Sequence, residues 1–183
     1  MSRPLRIEYP GAFYHISSRG NERSPIFHDD ADRRALLAYC ASSVERYGAI
    51  IHVYCLMTNH YHLLVETSHG NLSQIMRHIN GAYTNYYNTR HSRSGHLFQG
   101  RYRAILVEKD AYAAELSRYI HLNPVRAKMV PGWSDYAWSS CRVYTGREKK
   151  PKWLATQFIL GYFGNSGREK ELAYIQFLEV PLI

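Results

Sequence analysis

Two histidines separated by one residue, His60 and His62, are the sharpest chemical signal in the sequence. The surrounding residues 49–67 are rich in β-branched and aromatic side chains and predict two strands joined by a turn at residues 57–59. Side chains alternate between the faces of a strand, so both imidazoles project from one face and Tyr61 from the other. Such a pair on a rigid strand can chelate one divalent cation. A histidine pair that binds no metal is the alternative.

A second chemical signal lies in the predicted helix 111–123, which Asp110 caps and which runs up to Pro124. Tyr119 and Asn123 are four residues apart, so their side chains share one helical face. This arrangement can present a phenol and an amide to a common site. The alternative is an amphipathic helix whose tyrosine packs at the edge of the core.

The other elements are predicted from periodicity, caps and turn residues. They are a strand at 12–18, helices at 31–47 and 71–87, a basic surface loop at 88–103, a strand at 102–108, and short helices near 153–163 and 168–179. This order favours an α+β fold with a central antiparallel sheet and flanking helices, of the ferredoxin-like or RRM-like kind. We expect one main domain at 1–146 and a basic, helical C-terminal appendage at 147–183.

The composition favours a nucleic-acid partner. The 183 residues carry a formal net charge of +8 and include 16 tyrosines. Cationic side chains attract phosphates, and tyrosine rings can stack on unpaired bases. We expect DNA contacts from arginines in loops, at strand ends and after the tyrosine helix: Arg19, Arg90, Arg93, Arg101, Arg103 and Arg126.

The sequence contains no segment typical of a signal peptide or a membrane span. Its three cysteines form no CxxC pair, which argues against a zinc ribbon or a disulfide framework. These observations lead us to expect a cytoplasmic, nucleoid-associated protein that makes no membrane contact.

Taken together, five ordered blocks resemble the HUH endonucleases, and more closely their single-tyrosine transposases of the REP-associated kind (RAYT), where REP denotes a repetitive extragenic palindrome. The blocks are AFYHISSRGNER, MTNHYHLLVET, GHLFQGRYRAILVE, RYIHLNPVRAKMV and DYAWSS. The resemblance covers about residues 1–146 and implies the HUH endonuclease fold. The middle residue of the HUH motif is usually hydrophobic, and here it is Tyr61.

The resemblance implies a specific chemistry. His60 and His62, with Asn123 as third ligand, would hold Mg²⁺ or Mn²⁺, and Tyr119 would attack phosphorus to give a 5′-phosphotyrosine and a free 3′-OH. The implied substrate is single-stranded DNA that carries REP-like hairpins. Imidazole ligands suit Mn²⁺ at least as well as Mg²⁺. Relatives act as dimers or as monomers, and a monomer is favoured here.

Two rival functions remain open at this stage. A non-catalytic nucleic-acid-binding module with an RRM-like sheet would explain the charge and the aromatic residues, although not the grouping of the histidines with Tyr119 and Asn123. A metal-dependent hydrolase with a water nucleophile would release a free 5′-phosphate and would retain activity in Tyr119→Phe. Formation of a protein–DNA adduct distinguishes both rivals from a tyrosine transposase.

Overall fold

The computed structural model describes residues 7–109 and 111–180. Within these ranges the strands are Ala12–Arg19 (β1), Ala49–Leu56 (β2), His60–Thr67 (β3) and Arg103–Val107 (β4). The helices are Asp30–Tyr47 (α1), Leu72–Arg90 (α2), Ala111–Arg126 (α3), Cys141–Tyr144 (α4), Gln157–Leu160 (α5) and Gly167–Glu179 (α6).

The four strands form one sheet in the order β2-β3-β1-β4, and every neighbouring pair is antiparallel. The first six long elements therefore follow the βαββαβ order with β1 and β3 in the centre. This arrangement confirms the predicted α+β class with a central antiparallel sheet and flanking helices.

The sheet separates two hydrophobic cores. On one face, α1 and α2 cover a core that includes Ile16, Leu63 and Ile79. On the other face, α3 and the C-terminal helices cover a core that includes Leu64 and Ile120. Strand alternation divides neighbouring residues between these faces, so β3 contributes Leu63 to one core and Leu64 to the other.

Local sequence signals explain where α1 begins and ends. Asp29 is its N-cap, and its carboxylate accepts a hydrogen bond from the backbone N–H of Asp32 at 3.1 Å. Gly48 terminates the helix with φ 64°, a left-handed conformation that glycine adopts without a steric penalty. The sequence predicts a helix at 31–47 with Asp29 and Asp30 as capping residues and Gly48 at its end, and the structure confirms Asp29 and Gly48 in these positions.

The end predicted for α3 is wrong by one turn. Proline lacks an N–H group and disfavours helical angles in the residue before it, so the helix was expected to run up to Pro124. The structure continues it through Pro124 to Arg126. The N–H of Ala127 also donates to the Asn123 carbonyl at 2.9 Å, so Asn123 lies in a continuous helical turn.

The C-terminal segment, predicted to be a basic appendage, contributes to the second core. Ile159, Tyr174 and Leu178 are all buried there. The segment before it also pairs with the edge of the sheet, where the Leu56 N–H donates to the Trp138 carbonyl at 2.8 Å. The described residues beyond 146 therefore pack against the same sheet, while the division of the chain at 146 stays a prediction.

The lengths and composition of the helices bear on whether the chain could cross a membrane. Within the described ranges, none of the helices combines the length and apolar character that crossing a bilayer requires.

A buried polar network attaches α3 to the C-terminal segment. His121 Nδ1 lies 2.7 Å from the Tyr174 hydroxyl, and its Nε2 lies 2.7 Å from the Ser140 hydroxyl. Ser117 also bonds to the Tyr174 hydroxyl at 2.9 Å. Burial lowers the pKa of His121 to about 3, so this imidazole is neutral in the folded protein at pH 7.

This network makes stability depend on pH. Because the folded-state pKa of His121 lies below its unfolded value of about 6.5, the unfolded chain binds more protons as the pH falls below that value. We expect His121 to account for about 2 kcal/mol of the unfolding free energy lost between pH 7 and pH 5. Urea denaturation at both pH values should show a correspondingly smaller loss for His121→Gln. Equal losses in the two proteins would contradict the assignment.

Candidate active site

The two histidines of the HxH motif share one face of β3, as predicted. The centroids of the His60 and His62 rings are 5.0 Å apart. Tyr61 lies on the opposite face, where it is fully buried and its hydroxyl donates to the Asn80 side chain. Strand alternation thus directs both imidazoles toward α3 and removes Tyr61 from their surroundings.

Helix α3 brings Tyr119 and Asn123 to the same cleft. Both line a cavity of about 540 Å³ together with His60 and His62. The Tyr119 ring is 36% exposed, and its centroid is 6.3 Å from that of His62. One chain therefore places the phenol, the amide and both imidazoles around one space.

The Asn123 side chain is available to coordinate a metal ion. Its amide nitrogen is buried and has no hydrogen-bond partner. The terminal amide can be rotated to exchange its oxygen and nitrogen positions, so either atom can point into the cleft. No three His, Cys, Asp or Glu side chains among the described residues form a metal-binding group. The Asn123 amide therefore fits the role of a third protein donor beside His60 and His62.

The hydrogen bonds of the two histidines leave ring nitrogens for a metal. His60 Nδ1 lies 2.7 Å from the side-chain oxygen of Asn59, so Nδ1 carries the proton and Nε2 is left with a lone pair. His62 Nδ1 lies 3.0 Å from Nε2 of His15. Donation from His62 to His15 would free His62 Nε2 in the same way. Partners of this kind fix the tautomer and orientation of metal-binding histidines.

His15 was missed as a site residue by sequence reasoning. It was assigned to a strand, but its place beside His62 depends on the pairing of β1 with β3, in which Ser17 lies opposite His62. Ser17 and Gln99 also line the cleft and were missed. The signal in the sequence was their spacing: His15 and Ser17 are two residues apart in the predicted strand and so lie on the same face of β1.

Burial and neighbouring cations keep the three imidazoles neutral. Burial lowers the pKa of His62 to about 3, with further contributions from His15, His60 and Arg19. The pKa of His15 is lowered to about 4 by burial and by Arg103. The pKa of His60 is lowered by burial and by Arg19. Neutral imidazole is the form that binds metal ions.

The cleft carries positive charge. Arg19, Arg101 and Arg103 line it, and no Asp or Glu is among the described residues around it. The Arg126 guanidinium carbon lies 5.0 Å from the centroid of the Tyr119 ring, at the edge of the same site. Four of the six predicted DNA-binding arginines are therefore grouped around Tyr119 and the histidines, which suits a phosphate-bearing ligand.

The other two arginines lie outside the cleft. Arg90 forms charged hydrogen bonds of 2.6–2.7 Å with Asp29 and Asp32, which link the end of α2 to the start of α1. Arg93 donates to the Asn88 side chain and to the His96 carbonyl. The charge of Arg90 is thus paired within the protein, whereas Arg93 is exposed and has neutral partners. The structure groups neither residue with the candidate site.

Comparison with known protein families agrees with the fold and with the residues that line the cleft. The family model for IS200-like transposases matches residues 9–123, which include both histidines, Tyr119 and Asn123. The chain belongs to the IS200-like transposase family.

The first of two similar solved structures shows the same fold. A REP-associated tyrosine transposase bound to a REP hairpin is similar over 85% of this chain and 92% of its own, with 18% identity and a TM-score of 0.67. A candidate transposase from Deinococcus radiodurans R1 covers 66% of this chain and 95% of its own, with 17% identity and a TM-score of 0.46. No curated protein matches the chain in sequence.

Proposed function

We propose that the protein cleaves and rejoins single-stranded DNA near REP-type hairpins through a covalent 5′-phosphotyrosine at Tyr119. The observation that carries this proposal is the presence of Tyr119, His60, His62 and Asn123 around one cationic cleft of a protein from the IS200-like transposase family. The similar REP-associated transposase, which is bound to a REP hairpin, supports the substrate class. Binding to such DNA would associate the protein with the nucleoid.

The covalent step uses one oxygen of the protein. The Tyr119 hydroxyl oxygen bonds to phosphorus as its proton leaves, and the bond between phosphorus and the 3′ oxygen breaks. The 3′ oxygen takes up a proton and becomes a free 3′-OH. Because the new phosphodiester keeps the energy of the old one, attack by a 3′-OH restores the strand without ATP.

The residues around Tyr119 would hold the phosphate and a divalent metal. His60, His62 and Asn123 would bind Mg²⁺ or Mn²⁺, which supplies Lewis-acid polarisation of the scissile phosphate. Arg19, Arg101 and Arg103 would bind phosphate oxygens along the strand. Arg126, whose guanidinium carbon lies 5.0 Å from the centroid of the Tyr119 ring, would contact the same strand beside the nucleophile.

A monomer suffices for this proposed chemistry. The nucleophile and the proposed ligands of one chain already surround one cleft, and no residue of a second chain is needed to complete the set. The buried bonds from His121 to Tyr174 and Ser140 hold α3 in that position.

End-labelled hairpin oligonucleotides test the proposed reaction. With Mn²⁺ present, a 3′ label should migrate with the protein in a denaturing gel, and a 5′ label should appear on a shorter free strand with a 3′-OH. A water-using hydrolase would instead release both fragments, and a non-catalytic binding module would leave the oligonucleotide intact. Either of those results would overturn the proposal.

The contact between His15 and His62 leads to a separate prediction about metal affinity. His15→Leu removes the acceptor for His62 Nδ1–H, so we expect roughly 10-fold to 100-fold weaker Mn²⁺ binding. His15→Gln retains a polar partner and should recover part of the affinity. Calorimetric titration with Mn²⁺, with folding checked by circular dichroism, measures both effects. Wild-type affinity in a folded His15→Leu protein would exclude the positioning role.

A further inference from the structure

One side chain in the floor of the catalytic cleft differs in chemistry from the others. On the cleft face of the sheet, Ser17 of β1 lies opposite His62 on one side and Arg103 on the other, and His15 lies opposite Ile105 of β4. Cationic, imidazole, phenol, amide and hydroxyl groups make up the rest of the described lining. Ile105 is therefore the single aliphatic side chain among the described residues that line the cleft.

Ile105 extends the apolar surface of the second core into the cleft. Val107, two residues along β4 and on the same face, is buried in the core that α3 and the C-terminal helices cover. Ile105 itself is 41% exposed. Arg103, two residues along the strand in the other direction, is an exposed charge. The apolar surface of β4 thus reaches one residue beyond the covered core and ends at an arginine.

Ile105 also lies close to the reacting groups. Residues directly opposite each other in an antiparallel pair have Cβ atoms about 4.5–5.5 Å apart, so Ile105 lies beside His15. The centroid of the His15 ring is 6.3 Å from that of Tyr119 and 5.1 Å from that of His62. A strand whose scissile phosphate lies between Tyr119 and the proposed metal ligands would therefore have an adjoining nucleotide within reach of Ile105.

The sugar is the part of a nucleotide that suits Ile105. Its side chain has neither an aromatic face for stacking nor a hydrogen-bonding group for a base edge. Phosphate contacts are common to DNA and RNA, whereas the 2′-OH is the group by which a protein tells RNA from DNA. The 2′ carbon of deoxyribose is an apolar methylene that can cover Ile105. The 2′-OH of a ribose would lose its water there and gain no hydrogen bond, which is unfavourable.

We propose that Ile105 selects DNA over RNA by packing against the 2′ carbon of a deoxyribose next to the scissile phosphate. The inference rests on the proposed function, because this sugar belongs to the strand that Tyr119 cleaves. The arginines of the cleft bind the phosphates, and Ile105 contacts the sugar that joins them. A single 2′-OH at this nucleotide removes an apolar contact and buries a hydroxyl without a partner.

Single ribonucleotides in a hairpin oligonucleotide test this assignment. Two substrates carry one ribonucleotide each, on the 5′ side or on the 3′ side of the scissile phosphate, and a third substrate is all DNA. Single-turnover cleavage with Mn²⁺ gives, for each protein, the ratio of the all-DNA rate to the ribonucleotide rate, and this ratio is independent of a general loss of activity. For the wild type we expect a ratio of at least about 10 at one of the two positions.

Variants of neighbouring residues on β4 separate Ile105 from its surroundings. Ile105→Thr keeps a β-branched side chain in the strand and offers a hydroxyl to the 2′-OH, so the ratio should fall below about 3. Ile105→Ala leaves room for water on the 2′-OH and should lower the ratio as well. Leu106→Thr is the matched control, because Leu106 is 44% exposed but points to the opposite face of the sheet. It should show the wild-type ratio.

Each outcome supports or overturns the role of Ile105. Equal wild-type rates on all three substrates would overturn it, even though the hairpin DNA is cleaved as proposed. A wild-type ratio in folded Ile105→Thr, or an equal fall of the ratio in Leu106→Thr, would also overturn it. If Ile105→Thr does not fold, as judged by circular dichroism, Ile105→Ala decides in its place. An all-DNA hairpin that the wild type leaves uncleaved would refute the proposed function, and the role of Ile105 with it.

Discussion

Tyr119→Phe is expected to reduce strand cleavage and adduct formation at least roughly a thousandfold while hairpin binding is retained. The substitution removes one oxygen and leaves the ring, so the contacts with His15, His62 and Arg126 persist. Phenylalanine has no group that can attack phosphorus. A denaturing gel measures the adduct, and anisotropy with the same oligonucleotide measures binding.

The other tyrosines provide the controls for this result. Tyr112 lies two turns earlier on α3 and is 59% exposed, and Tyr61 is buried on the far side of the sheet. Tyr112→Phe, Tyr61→Phe and Tyr102→Phe should all retain the adduct. An adduct that persists in Tyr119→Phe and disappears in Tyr112→Phe would move the nucleophile by two turns and would remove the proposed role of Asn123.

The second large effect is expected at the histidines. His60→Ala or His62→Ala should reduce metal-dependent cleavage by roughly a hundredfold or more, because each removes one of three proposed protein ligands. Hairpin binding should be largely kept, since the arginines around the cleft remain. The measurement is single-turnover cleavage across a titration of Mn²⁺.

A matched histidine controls for loss of an imidazole elsewhere. His69 is exposed and is not among the described residues that line the cleft, so His69→Ala should cleave at the wild-type rate. Full metal-dependent activity in the double variant of His60 and His62 would refute their assignment as ligands.

Much of the fold follows from local signals in the sequence. The cap at Asp29, the left-handed Gly48 and the opposite faces of Tyr61 and His62 all depend on neighbours in the chain, and the structure agrees with each of them. The extension of α3 beyond Pro124 was not predicted, because proline was expected to end the helix. The turn continues to Arg126 since a proline near the end of a helix interrupts few hydrogen bonds.

The features that sequence reasoning missed depend on distant pairings. His15 contacts His62 across 47 residues, and the register of β1 against β3 decides whether they meet. Arg90 resembles a DNA-binding residue in a basic segment, yet Asp29 and Asp32 bind it from about sixty residues away. A single sequence shows the type of each residue but not which of these partners it finds.

The most direct test of the account is to identify the residue that carries the DNA. Protein incubated with a hairpin oligonucleotide and Mn²⁺ is denatured, digested with nuclease and protease, and sequenced by tandem mass spectrometry. The account predicts one modified peptide with a nucleotide joined through its 5′-phosphate to the oxygen of Tyr119. A nucleotide on any other residue, or cleaved DNA with no modified peptide, would contradict it.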